Sequence, residues 1–135
     1  METQQQPVET QGALDFIKAQ DPEAADRLKR SLERKSFLLD RNVYGERFTE
    51  RQFDLVFDPL LRSAHEKARI LEALSIKDET VASLSAQLSM DRSRVFAHLL
   101  DLVKRNAVEI AGFDASHPVF TKREQRSWKK LEKYW

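Results

Sequence analysis

The side chains able to do chemistry in this chain are scattered rather than gathered. His65, His98 and His117 stand far apart, with no carboxylate or thiolate at ligand spacing, so each reads as a surface or capping histidine and no metal site is expected. Serines are numerous, but none lies in a nucleophile-elbow sequence. Three glycines are too few for a phosphate-cradling loop. The absence of Cys removes disulfides, thiolate zinc sites and iron–sulfur ligation. The chain therefore reads as a non-enzyme, with no catalytic residue, no cofactor and no polar pocket for an effector. What is left is the chemistry of binding. A polar set, Arg92, Ser93, Arg94, His98, Asp101 and Arg105, alternates at helical period with an apolar line at Val95, Leu99 and Leu102.

At 135 residues the chain is one domain's worth, with 41% hydrophobic and 33% charged residues. Its net charge of +1 is low for a small DNA-binding domain. The charge is uneven: residues 1–62 hold 10 Lys/Arg against 12 Asp/Glu, and residues 63–135 hold 13 against 10. Lys122, Arg123, Arg126, Lys129, Lys130 and Lys133 concentrate the basic excess at the end. No run approaches the roughly 18 apolar residues of a membrane span. The opening METQQQPVETQG lacks a basic-then-apolar signal sequence. A cytoplasmic protein without a membrane partner is expected.

The elements that must position the polar set follow from local signals. Residues 1–12 are polar and aperiodic and read as a disordered tail. Residues 13–62 read as an N-terminal helical region. Leu14, Phe16 and Ile17 mark a short helix ending near Gln20. Asp21 and Pro22 then offer an N-cap followed by proline at the first helical position. That helix should run to about Asp40, with Ala25, Leu28, Leu32 and Leu39 on its apolar side and Phe37 and Leu38 widening its end. Asn42 to Gly45 signals a turn. Thr49 and Gln52 have capping-box spacing, and Phe48 with Phe53 has staple spacing, for a helix from Glu50 to Phe57. Pro59 should end it at Asp58. The next helix starts either at Asp58 and Pro59 or at a second box, Ser63 and Glu66, and runs to about Leu74 with Ile70, Leu71 and Leu74 inward.

Beyond a polar loop at Lys77, Asp78 and Glu79, Thr80 caps a helix carrying Val81, Leu84 and Leu88. A turn at Ser89, Met90 and Asp91 leads to a longer helix, which stops at Asn106, a residue that tolerates the left-handed conformation. Val108 and Ile110 alternate as a strand, Asp114 to Pro118 form a loop, and Val119, Phe120 and Thr121 return. Thr121 and Glu124 then box a last helix over 122–135, basic on one side and carrying Trp128, Leu131 and Trp135 on the other.

This order of helix, helix, helix and hairpin over residues 63–121 resembles a winged helix-turn-helix. Thr80 to Leu88 is similar to the first helix of that motif, Ser89 to Ser93 to its turn, Arg94 to Arg105 to its recognition helix, and Asn106 to Ile110 to the step into its wing. The pattern resembles bacterial and archaeal repressors of the multiple-antibiotic-resistance and arsenic-sensor type. The resemblance implies a mostly α fold with a small β-hairpin wing, preceded by N-terminal helices and followed by the C-terminal amphipathic helix. It implies a dimeric transcriptional regulator whose recognition helix lies in the major groove of double-stranded DNA.

On that resemblance Arg92 and Arg94 are placed to take guanine O6 and N7 in bidentate fashion. Ser93, His98 and Arg105 would face the groove, Thr80 would offer its N–H to a phosphate, and Lys122 and Arg123 would grip a flanking backbone. Against groove binding stand a second apolar line, Phe96, Leu100 and Val103, an outward Asp101, and an acidic loop at Asp114. The simplest cover for that line is the N-terminal helices of the same fold. The alternative function is a protein-interaction module or accessory subunit that docks through Phe96, Leu100 and Val103 and through Trp128, Leu131 and Trp135. Folding back as core is the commoner fate of a stripe such as Trp128, Leu131 and Trp135, with a dimer seam or a docking peptide as the alternatives.

Overall fold

The computed structural model describes residues 6–35, 39 and 49–123. The chain divides into two compact units, Met1–Arg69 and Ile70–Trp135. Among the described residues there are five helices and one three-stranded antiparallel sheet: α1 (Gln6–Gln20), α2 (Pro22–Glu33), α3 (Glu50–Ile76), β1 (Glu79–Thr80), α4 (Val81–Leu88), α5 (Arg92–Lys104), β2 (Val108–Asp114) and β3 (His117–Lys122). Mostly helical structure with a small β element is therefore what the chain adopts. No described helix is long and apolar enough to cross a membrane.

In the first unit, α1 begins earlier than its sequence suggests. Residues 6–12, expected to be part of a disordered tail, are helical. Pro7 sits in the first turn, where a missing N–H costs no hydrogen bond, and Gln11 Nε2 donates to Asp15 Oδ1 at 3.0 Å. The break at Asp21 falls where the sequence places it. The Asp21 carboxylate accepts from the Ala24 N–H at 3.4 Å, with Pro22 opening α2. The described helix ends at Glu33, short of Asp40; Leu39 is helical, whereas Phe37, Leu38 and the turn at Asn42 to Gly45 lie outside the described residues.

Helix α3 starts with the expected reciprocal cap. Gln52 N–H donates to Thr49 Oγ1 at 3.1 Å, and Thr49 N–H donates to Gln52 Oε1 at 2.8 Å. It does not stop at Asp58. One helix of 27 residues continues through Pro59 to Ile76, replacing both of the expected restarts. The physical reason is tertiary. Phe53, Phe57, Leu61, Ala64 and Ala68 fall on one stripe that crosses the proline, and all of them join the core of the first unit with Leu14, Ile17 and Leu28. Pro59 lies on the opposite, exposed side with Leu55, whose carbonyl is the one left without its i+4 donor.

The core of the second unit is built from Ile70, Leu71 and Leu74 at the end of α3, Leu84 of α4, Val95, Leu99 and Leu102 of α5, and Val108 and Phe120 of the sheet. Each fully buried aliphatic or aromatic side chain contributes about 1.5–3 kcal/mol from area removed from water. The strand order is β1-β3-β2. Glu79, expected in a polar loop, instead joins Thr80, the expected cap of the next helix, in β1, opposite Phe120 and Val119 of β3. The hairpin is longer and its loop tighter than expected. His117 and Pro118 are strand residues, and Asp114 pairs with His117 across the two residues Ala115 and Ser116. Ala115 has φ 59°, the left-handed value that the first residue of a type II′ turn requires.

Candidate nucleic-acid interface

Helix α4 and helix α5 are joined by a turn with defined hydrogen bonds. Thr80 caps α4: its Oγ1 accepts from the Ser83 N–H at 3.2 Å, and its own N–H donates to Ser83 Oγ at 2.9 Å. At the other end Ser89 takes φ 55°, and the Met90 N–H reaches back to the Ser85 carbonyl at 3.2 Å. That six-to-one bond with a left-handed residue inside it closes a Schellman motif. Met90 is buried in the core beneath. The motif turns the chain sharply into α5 and sets which side of α5 faces out.

Val95, Leu99 and Leu102 are each 0% exposed, as their spacing predicts. Arg92, Ser93 and Arg94 are exposed on the first turn of α5. Asp91 precedes them and makes no side-chain capping bond; its carboxylate accepts instead from Ser93 Oγ at 2.7 Å. Arg94 is engaged within the chain. At the far end the Asn106 N–H donates to the Val103 carbonyl (3.0 Å) and the Ala107 N–H to the Leu102 carbonyl (2.9 Å), with Asn106 at φ 61°. This second Schellman motif feeds β2 directly.

Several expected contacts are placed differently. His98, expected to face outwards, is only 8% exposed. It lies three residues after Val95 and four before Leu102, so helical geometry puts it on the buried stripe. The Thr80 N–H is taken by Ser83 and is not presented to a phosphate. Arg105 is half-buried, closes α5 through its N–H to the Asp101 carbonyl at 3.1 Å, and is engaged within the chain. Lys122 is half-buried opposite Val108, and Arg123 is exposed with its N–H on the Ala107 carbonyl at 2.9 Å. The arginine pair on the first turn of α5 and the basic pair at the end of β3 are thus carried by separate elements.

The second apolar line is not buried. Phe96 is 46% and Leu100 42% exposed, while Val103 packs half-buried against the core of its own unit. The hairpin adds two exposed apolar residues, Ile110, expected only as a strand residue, and Phe113. A bulge after Ile110 keeps Phe113 on the same face as Ile110, Pro118 and Phe120. Along that face exposure climbs from Val108 at 1% to Ile110 at 50% and Phe113 at 68%, because the hairpin runs out past the helices that cover its base. The apolar alternation through Ile110 was the available signal; the bulge that carries it to Phe113 is invisible in the pattern. Trp128, Leu131 and Trp135 lie outside the described residues.

His65 sits against Phe16, with ring centroids 5.3 Å apart, and His117 is exposed at the start of β3. Among the described residues no group of three His, Asp or Glu comes together as a cation site. A cleft of about 810 Å³ in the first unit has Phe53, Phe57 and Leu61 in its lining. Within its lining Lys35 pairs with Glu50 at 3.2 Å while lying 5.3 Å from the Phe53 ring centroid. No family model, no curated protein and no solved structure matches this chain.

Proposed function

We propose that residues 70–123 are a winged helix-turn-helix that binds double-stranded DNA, with α5 as the reading helix, β2–β3 as the wing, and regulation of transcription as the role. The observation that carries this reading is the exposed pair Arg92 and Arg94 on the first turn of α5, immediately after the sharp turn at Ser89. It is supported by the order α4, turn, α5, hairpin, with β1 as the third strand. In this reading the N-terminal turn of α5 enters the major groove, where guanidinium groups meet guanine O6 and N7. Arg123 grips a neighbouring phosphate. A homodimer places two such helices about one helical turn apart.

The test is binding of the purified protein to a mixed-sequence duplex over a salt series, followed by selection of a preferred site. DNA binding predicts an affinity that falls steeply with salt, because each neutralised phosphate releases counterions. Binding absent at low salt refutes the proposal.

A second reading, a protein-docking module, is favoured by one specific set: Phe96, Leu100, Ile110 and Phe113 are all exposed. Glu109 and Asp114 on the hairpin and Asp91 before α5 add carboxylates that phosphate repels. Docking through apolar side chains persists at moderate salt and is lost on Phe96→Asp or Phe113→Asp.

A further inference from the structure

Strand β2 ends the sheet order β1-β3-β2, so one of its two edges carries no neighbouring strand among the described residues. Such an edge presents a row of backbone N–H and C=O groups with which another extended chain can pair. Glu109, Ile110, Ala111, Phe113 and Asp114 are all exposed along it. The bulge decides what the edge displays. Residues 109–114 stand opposite only the stretch Thr121 to His117 of β3, with Ala111 the one left over. Ile110 and Phe113 therefore share the inner face, and Glu109 and Asp114 share the outer one. In ladder order the edge reads carboxylate, apolar, Gly112, apolar, carboxylate. Among the described residues neither Glu109 nor Asp114 has an ion-pair partner.

We propose that the free edge of β2 takes up an extended segment of a partner protein with the pattern basic, apolar, any residue, apolar, basic. Residues opposite one another in a sheet lie on the same face. The partner's two apolar side chains then meet Ile110 and Phe113, and its Lys or Arg residues meet Glu109 and Asp114. A second copy of this chain does not fit. The two-fold axis that sets Ile110 against Phe113 of the other copy also sets Glu109 against Asp114, and like charges directly opposite are destabilising. The same carboxylates repel a phosphate backbone. A bulge and a charged residue are also means of guarding an edge against indiscriminate pairing, so a strand without the basic pair is turned away. This inference names the partner for the protein-docking reading and rests on it, whereas the DNA-binding reading uses α5 and Arg123.

The probe is a fluorescein-labelled heptapeptide, TKVTVKT. Its control is TVKTKVT, which keeps composition and charge but exchanges the two kinds of side chain between faces. Anisotropy with the intact protein should show TKVTVKT bound about tenfold or more tighter than the control, because the exchange removes four matched cross-strand pairs. Phe113→Thr, at a position 68% exposed, keeps a strand-forming residue and should weaken TKVTVKT about threefold. Glu109→Lys with Asp114→Lys should move the preference to TEVTVET. Circular dichroism checks that each variant keeps its fold. Equal binding of TKVTVKT and its control overturns the edge site, as does indifference to Phe113→Thr or an unchanged preference in the charge-reversed variant. Absence of binding by every peptide overturns it too. Loss of TKVTVKT on Phe96→Asp, with Phe113→Thr without effect, overturns the edge while the docking reading stands on α5.

Discussion

Replacing Arg92 and Arg94 together by Ala is the perturbation that most directly tests α5 as a reading helix. Both side chains are exposed, so the double variant should lose no more than about 0.5 kcal/mol of stability, which a thermal melt checks. A bidentate arginine–guanine contact discriminates by about 1–3 kcal/mol. Arg94 is already engaged within the chain and must give up that interaction to reach a base, so its share falls at the low end and Arg92 contributes more. The pair is then worth about 2–4 kcal/mol, or roughly 30- to 1000-fold in affinity for a selected site. Fluorescence anisotropy at several salt concentrations separates the two kinds of contact. Base reading lowers affinity for the selected site and relaxes its sequence preference. Phosphate gripping lowers affinity for all duplexes alike and reduces the salt slope by about 0.9 for each lost contact. Unchanged affinity and unchanged slope would refute the assignment of α5 to the groove.

Three further outcomes follow from the local geometry, each measured by urea denaturation of the intact chain. Thr80→Ala removes the hydroxyl that accepts the Ser83 N–H and should cost about 1 kcal/mol, with Thr80→Ser retaining most of the stability. Pro59→Ala restores a donor for the Leu55 carbonyl inside α3 and should stabilise by about 1–3 kcal/mol; a loss instead would mean that the proline shapes the helix in a way the core needs. Ala115→Gly relieves a left-handed φ at the hairpin turn and should be neutral to about 1 kcal/mol stabilising, whereas Ala115→Val, β-branched at the same φ, should destabilise by about 1–2 kcal/mol.

What the sequence by itself determined was local. The caps at Thr49 with Gln52, at Thr80 and at Asp21 lie within three residues of their partners, and each forms as its spacing implies. The stripe Val95, Leu99 and Leu102 was legible because a helix repeats every 3.6 residues, and the stop at Asn106 because few side chains accept a positive φ. Of the candidate site, this locality located the arginines of the first turn. The tertiary structure decided whatever needed a distant partner or a packed face. Glu79 and Thr80 are a strand only because β3 returns beside them some forty residues later. Pro59 stays inside a helix because Phe53, Phe57 and Leu61 bury on the far side of it, an apolar gain larger than one missing hydrogen bond. His98 is buried because the covered arc of α5 is wider than its three-residue apolar line. Phe113 is exposed because a one-residue bulge keeps it on the inner face of a hairpin that outruns its core. Spacing reports which residues share a face; how far a neighbouring element covers that face is settled only when the chain has folded.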